Sequence, residues 1–191
     1  MDTRIKEWSK LKFCDPAKAL PKIRKWQEFI AASNLDDKIK NLRTRKLRKH
    51  LEKRIASLFC YGMGIYLNKT IFFAPAPNDN SDYDAVAKRI EGSEIHYTPI
   101  QIKEVVPERL NPKTDINQEI AKLCRYPVSN DTVVVMHINR AGLLNLSSIK
   151  LPELNIAELW LLGASSPDQN KWFIAGNLLD KPAIFEFNYP V

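Results

Sequence analysis

The sequence predicts an α/β protein, a mixed β-sheet flanked by helices with an N-terminal basic helical extension. Three observations lead there. Apolar residues recur at helical spacing through the first third of the chain. The period then shortens to two through the middle. After one more amphipathic helix, the nearly all-apolar run TVVVMHI at 132–138 reads as a strand buried on both faces. Helices before and between strands, with more β after them, are the pattern of helices layered on a sheet.

Each element has its own signal. Residues 16–32 read as a helix, with Pro16 and Pro21 near its start and Ile23, Trp26 and Ile30 along one face. Ser33–Asp36 breaks it and offers caps for the next. Residues 36–60 read as one long helix with an apolar stripe of Leu47, Leu51, Ile55, Leu58 and Phe59, ended by Gly62 and Gly64. Strands follow at 69–74 and, after the turn-rich segment 75–81, at 82–90. Glu91-Gly92-Ser93 reads as a hairpin turn into a partner strand at 95–106, where Pro99 suggests an edge position or a bulge. Residues 114–126 form an amphipathic helix that Thr114 or Asp115 can cap, with Ile116, Ile120 and Leu123 inward and Pro127 as its stop. Further strands are expected at 157–162, 171–176 and 183–187.

Composition bounds the function. The chain has 191 residues, 45% hydrophobic and 27% charged, which excludes wholesale disorder and a disulfide scaffold. Its length suits one main domain at 36–191 behind an extension at 1–35. No apolar run reaches the roughly 18 residues of a membrane span, and the charged N-terminus MDTRIKEWSKLKF is no secretory signal. Cys14, Cys60 and Cys124 are odd in number and far apart, as expected of free thiols in the cytoplasm. His50, His96 and His137 have no zinc-type spacing, and the four tryptophans read as core. Residues 1–54 hold 17 of the 29 Lys and Arg but 7 of the 22 Asp and Glu, a net of +10, whereas the rest nets −3. That basic front reads either as a surface that tracks a polyanion or as a solvated helix face.

The central hairpin carries the chemistry. Alternation places Asp82, Asp84, Val86 and Lys88 on one face of their strand, and Gln101, Lys103 and Val105 together on the next. If the strands pair directly, Asp84, Gln101 and Lys103 converge. A carboxylate and an amide oxygen suit a hard cation such as Mg²⁺, and a lysine beside them stabilises charge developing on a phosphate.

At the segments HLEKRIASLF, SDYDAV and PIQIKEV, followed by TDINQEIAKLCRY, the sequence resembles the PD-(D/E)XK nuclease superfamily, the restriction-endonuclease-like fold, over about residues 45–140. The resemblance implies a metal-dependent nuclease, with DNA the expected substrate, Mg²⁺ the cofactor and Mn²⁺ its substitute. It implies Asp84 as central metal ligand, Gln101 as second ligand and Glu52 as the helix acid that completes the shell, with Asp82 in reserve. It implies Lys103 as the residue that orients the attacking water. Gln118, Lys122 and Arg125 fall on the helix where family members contact the substrate backbone. Arg45, Lys46, Lys49 and Lys53, with Lys88, complete the expected nucleic-acid-binding set. A homodimer would suit double-strand cutting. Gln101 stands where the family more often has Glu or Asp, so the other reading is a non-catalytic nucleic-acid- or protein-binding module on the same fold.

Overall fold

The computed structural model of the protein describes residues 3–78, 81–125, 129–142 and 144–191, and only the backbone of residues 45 and 46. The class is α/β: the described residues include five α-helices and seven strands, which pair in chain order. The chain forms two compact units, residues 1–100 with 189–191 and residues 101–188.

The first unit starts with a helix that periodicity missed, α1 (Thr3–Trp8), whose Trp8 is buried. Helix α2 (Pro16–Ala31) begins where expected, because the Asp15 carboxylate accepts from the Ala17 N–H at 2.9 Å and Pro16 needs no partner at the first position. Pro21 lies deeper than expected, inside the helix, so α2 lacks the bond its N–H would have made.

The single helix expected over 36–60 is two. Asp36 caps a short α3 (Asp37–Lys40), and the chain then turns through Leu42, left-handed at φ 56° yet only 4% exposed. Burying that side chain offsets the strained backbone. Helix α4 (Arg45–Leu67) runs on past the glycines expected to end it and is capped by left-handed Asn68. Gly64 is there for space: a Cβ would sit 2.8 Å from the Lys69 carbonyl oxygen, whose own N–H donates to the Gly64 carbonyl. The apolar stripe deepens along α4, from half-buried Leu47 and Leu51 to fully buried Leu58.

Strands β1 (Ile71–Pro75), β2 (Ala85–Glu91) and β3 (Glu94–Val105) form an antiparallel meander, with β1 packed against α4. Glu91 pairs with Glu94 across a two-residue Gly92-Ser93 turn, where Gly92 takes φ 59°. Pro99 faces Val86 in unbroken register, so no bulge forms there. Strand β2 starts at Ala85, three residues later than the alternation suggested.

The second unit contains the last residues of β3, then α5 (Ile116–Lys122), β4 (Ser129–Ile138), β5 (Ile156–Ala164), β6 (Lys171–Gly176) and β7 (Ala183–Asn188). Asp115 is the cap of α5, accepting from the Asn117 N–H at 3.2 Å. The helix tightens into a 3₁₀ turn at Leu123–Arg125, and its expected stop, Pro127, lies outside the described residues. Strands β4 and β5 are parallel, whereas β5–β6 and β6–β7 are antiparallel. The crossover from β4 to β5 includes a 3₁₀ turn at Leu146–Ser148, and Arg140 at its start donates to the Thr114 and Asn111 carbonyls at 2.6 Å each. Residues 133–136 of β4 are all buried, as their apolar run requires. Among the described residues no helix is long and apolar enough to cross a membrane.

Candidate functional site

Two stretches of the first unit meet at a cavity of about 290 Å³. The first turns of α4 supply Arg48, Lys49 and Glu52; helical spacing of four stacks Arg48 over Glu52. The end of β1 supplies Pro75, and the segment between β1 and β2 supplies Ala76, Asn78, Ser81, Tyr83 and Asp84. Backbone bonds fix Asp84 just ahead of β2: its N–H donates to the Ile100 carbonyl at 2.8 Å, and its carbonyl accepts from the Ala76 N–H at 2.9 Å.

The cavity is mixed in charge. Arg48 Nε donates to Glu52 Oε1 at 2.8 Å, and the arginine side chain is 71% exposed against 19% for the glutamate. The partly sheltered carboxylate is thus held by a cation that reaches into water. Ser81 Oγ donates to Asn78 Oδ1 at 3.3 Å on the same rim.

Behind the rim stands α1. Arg4 lies 3.6 Å from the Asp82 carboxylate, which is 73% exposed, and its guanidinium sits 4.8 Å above the Trp8 ring. Trp8 in turn meets Tyr83 edge to face, with centroids 5.9 Å apart. Nothing in the sequence pointed to this support. Tyr83 stood between two aspartates that drew the attention, and a six-residue helix is too short for periodicity to register. The one available signal was a tryptophan in an otherwise charged N-terminal segment.

Of the expected site residues, Glu52 and Asp84 thus share one cavity, together with Lys49. Gln101 and Lys103 belong to the second unit, both half-buried on the continuing part of β3, with buried Ile102 between them on the opposite face. Lys53 is half-buried one turn beyond Lys49. Lys88 holds its ammonium 4.6 Å over the Phe13 ring and 5.3 Å over the Phe72 ring. In the second unit, Lys122 pairs with Glu119 at 2.6 Å, and Arg125 and Gln118 are exposed. The Arg45 and Lys46 side chains lie outside the described residues. His50 stacks on Trp26, with centroids 4.6 Å apart.

The donor set bears on the implied cation. Among the described residues no group of three or more His, Cys, Asp or Glu side chains could hold a metal ion. Glu52 and Asp84 do offer hard oxygen donors on one cavity. Mg²⁺ is commonly held by one or two carboxylates, with the remaining positions left to water and substrate phosphate, and two carboxylates meet that need. No family model, curated protein or solved structure matches the chain.

Proposed function

We propose that the protein is a Mg²⁺-dependent nuclease that hydrolyses phosphodiester bonds, with DNA its substrate, on a restriction-endonuclease-like variant of the α/β fold. The observation that carries this reading is the meeting of Glu52 and Asp84 at one cavity, although the rest of α4 and the whole of β1 separate them in the chain. These are the helix acid and the strand aspartate that the resemblance pairs. Basic residues at the same cavity, Arg48 and Lys49, give a phosphate something to meet there.

In this reading Glu52 and Asp84 hold the cation, and Arg48 and Lys49 draw in and orient the phosphate. A bound divalent cation supplies Lewis-acid polarisation of the phosphoryl oxygens and lowers the pKa of water.

A labelled DNA strand, alone and in duplex, incubated with Mg²⁺ or Mn²⁺ tests it. Asp84→Asn and Glu52→Gln should each lower the cleavage rate at least about 100-fold, the scale of losing a group that acts on the transition state. Full activity in Asp84→Asn overturns the reading.

A second reading, a non-catalytic nucleic-acid-binding module, is favoured by the Arg48–Glu52 bond, which sets a guanidinium against a carboxylate that the cation would need. Isothermal titration with Mn²⁺ separates the two. Heat of binding that Asp84→Asn abolishes supports the nuclease. Salt-sensitive DNA binding by a protein that takes up no Mn²⁺ and cleaves nothing supports the module.

A further inference from the structure

We infer that the cavity of the first unit takes one unpaired nucleotide, its base against Tyr83 and its phosphate toward Arg48 and Lys49, so that the preferred nucleic acid contains a single-stranded stretch or end. This deepens, and rests on, the nucleic-acid reading of the same cavity.

Size comes first. About 290 Å³ lies at the lower limit of small-molecule sites, which run from about 300 to 1,000 Å³. That suits one nucleotide. Shape of the ligand follows from Tyr83. A base inside a duplex has both faces covered by its neighbours and its edge paired, so it offers an aromatic side chain nothing to stack on. An unpaired base offers a whole π face, and stacking of this kind tolerates any base.

Tyr83 is prepared for that role. Trp8 buttresses it edge to face and is itself 4% exposed. Arg4 clamps the support from both sides, over the Trp8 ring and against Asp82. A ring already held in place loses little freedom when a base lands on it. The other wall residues complete the fit: Arg48 and Lys49 for the phosphate, and Asn78 and Ser81 as an amide and a hydroxyl within the same cavity. An arrangement of stacking platform and cations without a fixed base-reading fork is sequence-tolerant.

The test measures binding without cleavage, with EDTA present. The probes are a short labelled single-stranded deoxyoligonucleotide, the matching blunt duplex, and that duplex with an overhang. The wild type should prefer the single strand and the overhang. Tyr83→Leu, which keeps bulk against Trp8 but removes the aromatic face, should lose about 5- to 150-fold in affinity for those two probes, the scale of one base stacking, and little for the blunt duplex. Tyr83→Phe should retain the preference. Equal wild-type affinity for single strand and blunt duplex overturns the inference while leaving nuclease activity to its own assay. So does a Tyr83→Leu variant that binds like the wild type. Displacement of the oligonucleotide by an equal concentration of free thymidine monophosphate makes this a mononucleotide site and overturns the polymer. Failure to bind any of the three probes overturns the nucleic-acid reading as well.

Discussion

The two units differ in where their polar groups gather. The second is an apolar assembly: Val105, Ile120, Leu123, Val134, Met136, Leu159, Leu161 and Ala175 form one buried cluster that ties β3–β6 to α5. The first also has a core, with Leu20, Leu58, Phe73 and Val86 inaccessible, but polar devices shape much of it. Asp15 and Asp36 cap helices, Arg4 clamps Asp82, Lys88 lies over two aromatic rings, and a cavity of mixed charge opens at the start of α4. Both units combine burial with directed contacts, the second through the Asp115 cap and Arg140, but the mixed-charge cavity opens in the first. The lesson is where chemistry can sit: a wall of charged, oriented groups needs polar contacts that gather at one cavity, as they do at the start of α4.

The comparison breaks most visibly in the second unit. Leu161→Ala removes a fully buried side chain from the cluster and should destabilise the protein by about 2–5 kcal/mol, read from urea unfolding. A loss under about 1 kcal/mol would mean that this unit does not depend on its cluster.

The dry part of the first unit can be sharpened with Cys60. Burial raises its thiol pKa from 9.0 to about 12. A raised value means that the folded state keeps a proton the unfolded state gives up. The stability this contributes is therefore whole below pH 9 and declines as pH rises toward 12. Cys60→Ala should flatten the fall between pH 9 and 10 by about 1–2 kcal/mol. An unchanged slope would place the thiol in contact with water. Iodoacetamide should accordingly modify exposed Cys124 and spare Cys60 in the native protein.

The smallest effect tests the directed contacts. Asp15→Ala deletes the cap of α2 and should lower stability by about 1 kcal/mol, whereas Asp15→Asn should recover most of it. No difference between the two variants would remove capping from the account of this unit.

Much of the element order was legible. The β4 run TVVVMHI could be read as a buried strand because its residues leave no polar face, and β6 and β7 fall where strands were expected at 171–176 and 183–187. The break between α3 and α4 was not legible. Leu42 is no turn-forming residue, and only the burial it gains compensates its left-handed backbone. Gly64 misled for a related reason: a stop signal in local terms became a close approach to Lys69 in the folded chain. At the site, alternation nominated Asp84 and the resemblance implied Glu52, but neither said anything of Tyr83, Trp8 or Arg4. Their roles rest on ring-to-ring and charge-to-charge contacts between segments far apart in sequence.

By itself, then, the sequence determined the α/β class, most strands, the caps of α3 and α5 and the basic front, because periodicity, side-chain hydrogen bonding to nearby N–H groups and charge are local properties of the chain. Tertiary structure alone decided that Arg48, Lys49, Glu52, Tyr83 and Asp84 line one cavity and that α1 buttresses it. The physical reason is that a cavity wall is assembled from chain segments brought together by burial elsewhere, and no local rule records which segments those will be.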